Sequence, residues 1–258
     1  MQMMDRADSP LGRYARILET LAASPEGMTL TQIAEAVQLQ AGTTHRLVNS
    51  LCAVGFAARH NGQKAYVLGP RMVRLCHLAL TPPSFIAMAE PVLHELVKTH
   101  GETAYLAKLN GTMVESVAMD VPRGGDKAYV QPGRTMPLHA AASAKAIFAF
   151  QDPGLVDRVL AEPRTKFTAD TKTEDREIRA ELEQVGAESF AVCDNELDPG
   201  VLSYATPVRL EDGSVIYAIG ISGLSERLRK HPRDDVRESL LNASKILSRS
   251  LQRMLARN

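Results

Sequence analysis

His139, Ser143 and Lys145 fall within seven positions of one another in the stretch PLHAAASAKAIFAF, residues 137 to 150. A hydroxyl beside a base is the raw material of nucleophilic acyl transfer. The spacing argues against that chemistry. Serine–lysine acyl enzymes use Ser-x-x-Lys, whereas residues two apart on a helix point about 200° from each other. His139, four before Ser143, could share its face, but no Gly-x-Ser-x-Gly elbow is present. There is no Gly-rich phosphate loop and no His-x-x-x-His, and Cys52, Cys76 and Cys193 lie far apart without zinc or disulfide spacing. The sequence predicts no catalytic residues, no metal and no cofactor. A serine-dependent enzyme stays as an alternative, which would require turnover that depends on Ser143.

The same residues fit binding. The first turn of a helix presents backbone N–H groups without helical partners and a partial positive charge. Small side chains there let a ligand approach, so a carboxylate could sit on the amides near Ala142 and Ser143, with the Ser143 hydroxyl adding a bond. Arg123, in the loop VPRGGD, either closes over such an anion or is a solvated loop arginine.

These residues need a scaffold. The chain has 258 residues, 45% of them hydrophobic, enough for two packed domains. No apolar run approaches the roughly 18 residues of a membrane span. The first ten residues lack a signal-peptide core, which predicts a cytoplasmic protein. Total charge is balanced, but residues 1–80 carry eight basic and five acidic side chains, against 22 and 25 in the remainder. That split suggests a basic N-terminal module.

Apolar spacing predicts a helix over 9–24, and a second follows Thr29 and Gln32, which have capping-box spacing. A third, with Leu47, Val48 and Leu51 inward, ends at Gly55. Strands at Phe56–Arg59 and Ala65–Leu68 around an Asn-Gly at 61–62 complete a helix-turn-helix with a wing. The third helix carries no acidic residue from 40 to 53. The residues near its start are the ones that reach base edges in a major groove. Gln40, Thr43, Thr44, Arg46 and Asn49, with Thr31 of the preceding helix, are the candidate DNA contacts, Arg46 foremost as a guanine or phosphate ligand. His45 either touches phosphate or packs. Arg59 and Lys64 flank the wing turn and suit phosphate.

A helix at 69–80, broken by TPPS, predicts the boundary: a DNA-binding domain at 1–68, a helical linker at 69–83 and a second domain at 84–258. In the second domain a helix covers 85–100, adjusting near Pro91. Strands at Thr103–Leu109 and Thr112–Asp120 surround an Asn-Gly, and a short strand lies near Tyr129. HAAASAKAIFAF is helical by its alanine content, and another helix spans 173–186 and closes at Gly186. A hairpin around Asp-Gly lies within 201–223, and a long helix ends the chain. Hairpins flanked by helices predict an α+β domain with an antiparallel sheet.

The run LQAGTTHRLVNSLCAVGFAARH, with Tyr66, Leu68 and Gly69 after it, resembles the winged-helix half of the IclR family of bacterial transcription regulators. It departs from the family's Pro-Lys-Ser at Gln40, Ala41 and Gly42. GET at 101–103, LHAAASAKA at 138–146, NELDPGVLSYATPV at 195–208 and IGISGL at 219–224 are similar to the family's effector domain, which is GAF-like. The resemblance implies a regulator that binds operator DNA and a small, possibly aromatic, organic acid, as a homodimer or dimer of dimers. It places effector contacts at Ala142, Ser143, Cys193 or Asp194, Ser203, Gly220 and Ser222. Relatives often carry an acid, a cysteine and a serine where Cys193, Ser203 and Gly220 stand, which implies a different ligand here. A DNA-binding protein with a ligand-blind second domain is the alternative.

Overall fold

The computed structural model describes residues 9–24, 26–60, 64–79, 83–124, 130–210 and 212–256. The chain divides into two compact units, Met1–Cys76 with Gln252–Asn258, and His77–Leu251.

In the first unit, Ser9 caps α1 (Pro10–Ala22), its side chain accepting the Gly12 amide at 3.0 Å, with Pro10 in the first turn. A two-residue strand, β1 (Met28–Thr29), leads into α2 (Leu30–Ala36). Both arms of the capping box form there. The Thr29 amide donates to Gln32 Oε1 at 2.8 Å, and the Gln32 amide donates to Thr29 Oγ1 at 3.4 Å. After α3 (Ala41–Ala53), Gly55 turns the chain at φ +76° into β2 (Ala57–Arg59) and β3 (Ala65–Leu68). The sheet order is β1-β3-β2, so the wing gains a third strand that periodicity does not reveal. The Asn-Gly turn at 61–62 lies outside the described residues. Ile17, Leu21, Ile33, Val37, Leu47 and Val48 form the core. A helix, α4 (Pro70–Ala79), follows.

The second unit begins with α5 (Pro83–His100), which continues through Pro91. β4 (Thr103–Asn110), β5 (Met113–Asp120), β6 (Thr135–Met136), β7 (Ala191–Asp194), β8 (Val201–Arg209) and β9 (Val215–Leu224) form one antiparallel sheet in the order β6-β5-β4-β9-β8-β7. Several elements add to or depart from the sequence expectations. β7 lies at 191–194, where no strand was expected. β6 lies at 135–136, and Tyr129 is outside the described residues. A further helix, α7 (Pro153–Leu160), starts where Asp152 caps the Gly154 amide at 2.8 Å. α6 (Ala142–Phe148) has seven residues and starts later than its alanine content suggested. α8 (Asp175–Glu188) continues past Gly186 and stops at Ser189, which takes φ +52°. α9 (Ser225–Leu228) and α10 (Arg233–Ala256) end the chain. No described helix is long and apolar enough to cross a membrane.

Register assigns the two faces of this sheet. Thr103, Tyr105 and Ala107 pair with Ser222, Gly220 and Ala218, so all six share one face. The alternate residues point the other way, where Phe85 of α5 packs on Tyr217 with ring centroids 4.6 Å apart. The first face is unusually small in side chain. That is why α6, itself rich in alanine, packs closely on β8 and β9.

Gly69 tests the packing of the first unit. A Cβ there would lie 2.3 Å from the Gly55 carbonyl oxygen and 2.8 Å from the Ala57 amide nitrogen, both backbone atoms. Gly69→Ala should therefore destabilise the first unit by about 2 kcal/mol or more, read by chemical denaturation of the full chain. A wild-type unfolding curve would contradict that packing.

Candidate functional site

β4, β9, β8 and β7 carry a row of small polar side chains across the sheet: Thr103, Ser222, Ser203 and Cys193, each opposite the next. The Ser203 hydroxyl donates to the Ser222 hydroxyl at 2.7 Å in the buried interior. Burial raises the Cys193 thiol above its ordinary range and keeps it protonated. In the next row the Tyr105 ring lies across Gly220, where a Cβ would come within 2.7 Å of Tyr105 Cζ and 2.6 Å of the Tyr204 carbonyl oxygen. The Tyr105 hydroxyl faces the Ser143 hydroxyl and amide, which favour phenolate, but burial outweighs them and pushes the phenol well above its usual range. The side-chain oxygens of Thr103, Tyr105 and Ser143 are all buried without a hydrogen-bond partner of good geometry. Burying three such groups is unfavourable unless something accepts from them.

A small cavity opens among these residues, lined by Tyr105, Ala142, Cys193, Ser203 and Ser222. It holds about 280 Å³ of space between atoms, mouth included, of which about 10 Å³ can take the centre of a water molecule. Arg134 and Asp198 stand at its wall, with both Asp198 oxygens 2.7 Å from one guanidinium nitrogen.

The structure therefore brings together Ala142, Ser143, Cys193, Ser203, Gly220 and Ser222. It does not bring Asp194 or Arg123 to the cavity. Strand alternation turns Asp194 away from Cys193, and its carboxylate pairs with Arg229 at 2.6 Å instead. Arg123 is exposed and is not among the cavity-lining residues. Gly220 serves as the space under a ring rather than as an open wall. Sequence reasoning missed Tyr105, Thr103 and Arg134, although the first two lie in or beside the GET motif.

His139 precedes α6, so the four-residue spacing to Ser143 does not place them on one helical face. Its Nε2 donates to the Thr165 carbonyl at 2.9 Å, and its ring stacks on Phe167. Burial holds its pKa below the ordinary range. Lys145 is fully buried, and its Nζ donates to Glu196 at 2.6 Å, Glu181 at 2.9 Å and the Val192 carbonyl at 3.1 Å. Lys172 reaches Glu181 at 3.0 Å. Neither His139 nor Lys145 can serve Ser143 as a base. Among the described residues, no group of three or more His, Cys, Asp and Glu could hold a metal.

In the first unit, α3 buries Leu47, Val48 and Leu51 and exposes Gln40, His45, Arg46 and Asn49, with Thr43 half-buried. Thr31, Arg59 and Lys64 are exposed. Thr44 departs from its predicted role. It is fully buried, and its hydroxyl donates to the Gln40 carbonyl at 3.2 Å, because it lies three before Leu47 on the core stripe. Asn49 Nδ2 donates to His45 Nε2 at 3.2 Å, which holds the imidazole on the exposed face beside Arg46. Arg59 lies over the Tyr66 ring, 5.9 Å from its centroid.

A winged helix-turn-helix whose third helix has an exposed polar face, followed in the chain by an α+β domain with a small cavity, defines a two-domain transcriptional regulator. Comparison with known proteins agrees. Residues 10–60 match the IclR helix-turn-helix domain, and residues 77–249 match the bacterial transcriptional regulator IclR C-terminal domain. The chain is 30% identical over 239 residues to the HTH-type transcriptional regulator BhcR of Paracoccus denitrificans, covering 92% of this chain and 85% of that protein. Its fold is similar to a solved IclR-type regulator from Silicibacter sp. TM1040, at 26% identity and TM-score 0.60 over 94% of this chain and 96% of that one. It is also similar to an IclR homologue of Microbacterium hydrocarbonoxydans solved with 4-hydroxybenzoate, at 21% identity and TM-score 0.61 over 94% and 98%. The protein belongs to the IclR family of bacterial transcriptional regulators.

Lys145→Met removes one buried cation and leaves two carboxylates facing each other. It should destabilise the second unit by about 3 kcal/mol. Glu196 is already raised above its ordinary range, chiefly by burial and against the pull of Lys145. Without Lys145 the rise is larger. A carboxyl whose folded pKa exceeds its unfolded value loses stability as pH climbs between the two. The deficit against wild type should thus be smaller near pH 5 than near pH 8 in denaturation curves; an equal deficit at both would contradict this role.

Proposed function

We propose that the protein is a ligand-responsive transcriptional regulator that binds operator DNA through α3 and senses a small carboxylate in the cavity beneath α6. Residues 1–68 act as the DNA-binding domain, 69–83 as a linker and 84–258 as the sensor. The observation that carries the sensor reading is the set of three buried hydroxyls without a partner of good geometry: Tyr105 lines the cavity, and Ser143 and Thr103 lie next to its lining residues Ala142 and Ser222. A carboxylate supplies two acceptor oxygens with about four lone-pair sites. Arg134 offers the counter-charge, which a ligand would share or win from Asp198. The relative solved with 4-hydroxybenzoate gives a precedent for an organic acid in this fold. The protein works in the cytoplasm as a homodimer or dimer of dimers, with paired α3 helices on operator half-sites. The ligand changes DNA affinity only as far as it binds the two arrangements unequally.

Arg46, Asn49, His45, Gln40 and Thr43 carry the DNA reading, with Thr31, Arg59 and Lys64 suited to phosphate. Arg46→Ala should lower operator affinity about tenfold or more in fluorescence anisotropy while the second unit keeps its unfolding midpoint. Undiminished affinity would exclude α3 as the reading helix.

A thermal-shift panel of small carboxylates tests the sensor. At about 100 times Kd, a ligand confined to the folded state adds about 2.7 kcal/mol. Ser143→Ala should weaken that shift and leave DNA binding intact. If no acid in the panel raises the midpoint, the second unit is ligand-blind.

A further inference from the structure

We infer that Tyr105 sets the size of the ligand: the cavity takes a compact aliphatic acid and refuses aromatic ones, and the Tyr105 hydroxyl is one of the donors that hold it. This rests on the sensor reading above and narrows it.

Tyr105 is fully buried on a central strand, and its cross-strand neighbour is Gly220. The ring occupies the volume that any side chain at 220 would need, since even a Cβ would meet Tyr105 Cζ at 2.7 Å and its hydroxyl oxygen at 2.8 Å. Behind that position the Tyr204 carbonyl oxygen stands at 2.6 Å, a backbone atom that cannot give way. The ring therefore fills part of the floor. The movable parts are at the mouth, where Arg134 and Asp198 meet. Opening that pair adds space outside but leaves the floor filled.

The space left beside the ring takes the centre of a water molecule over only about 10 Å³, far below the roughly 300 Å³ at which ordinary ligand pockets begin. A carboxylate that reaches Ser143 and the Ser203–Ser222 pair has the Tyr105 ring on one side. Val130, Met136 and Val201 close the others. Further room comes only from parting Arg134 and Asp198 at the wall, and a compact acid needs the least of it. The hydroxyl groups set the polarity: Tyr105 and Ser143 face each other, and neither has a hydrogen-bond partner of good geometry.

The test uses the full chain and two sets of probes, glycolate, lactate and malonate against benzoate and 4-hydroxybenzoate, read by thermal shift and calorimetry. Wild type should be stabilised by at least one of the aliphatic acids and by neither aromatic acid. Tyr105→Ala should gain benzoate or 4-hydroxybenzoate binding. Tyr105→Phe keeps the ring and covers the case in which the alanine variant does not fold. It should still refuse both aromatic acids and bind the aliphatic acid about tenfold more weakly, the scale of one lost hydrogen bond to a charged group. Aromatic acids stabilising wild type as well as aliphatic ones would overturn the inference and leave the sensor reading standing. So would aliphatic binding unchanged in Tyr105→Phe, or a folded Tyr105→Ala that still refuses benzoate. No shift with any of the five acids in wild type or variants would overturn both.

Discussion

The Lys145 ammonium, buried with two carboxylates and a carbonyl, ties together the parts of the second unit that surround the cavity. It stands one turn into α6, and its partners lie on α8, on β7 and in the segment after β7. A lone buried cation is costly, so the three acceptors must stay in place once it is inside. Their positions fix others. Ala142 and Ser143 lie less than a turn before Lys145 in α6, Cys193 follows Val192, and Leu197 and Asp198 follow Glu196. The walls of the cavity are thus set by an ion-pair cluster that does not itself line it.

The sheet supplies the other half. Ala107, Ala218, Gly220 and Ala205 lie on one face in paired register, which lets α6 approach. The same economy recurs at the end of β9. A Cβ on Gly223 would lie 2.4 Å from the Glu102 carboxylate, and that carboxylate accepts two bonds from Arg227 at 2.7 and 2.8 Å. The GET and IGISGL motifs are therefore two halves of one contact, an acid seated over a glycine and clamped by an arginine from α9. Their resemblance to relatives has a steric cause that either motif alone would not suggest.

What the sequence made legible was local. The Thr29–Gln32 box, the strands on either side of the two Asn-Gly dipeptides and the Asp-Gly, and the apolar stripe of α3 are rules within a few residues. Thr44 was misplaced because a threonine on a helix can point either way, and only its offset from Leu47 decides. Asp194 stood as an alternative to Cys193 because no strand was expected there, and strand alternation puts only one of the two on the cavity side. Lys145 and Tyr105 were beyond reach for a different reason. One needs partners 36 and 51 residues away, the other a glycine more than a hundred positions on. Such pairings are properties of the closed sheet, not of any stretch of chain.

The Arg134–Asp198 pair has a consequence for time rather than for affinity. With that pair closed, the cavity barely admits the centre of one water molecule. A molecule that crosses this wall does so while the guanidinium and carboxylate are apart. Exchange by that route follows how often the pair parts and not the rate of diffusional encounter. A molecule leaving by that wall would wait for the pair to part, and such a delay smooths brief changes in its own concentration.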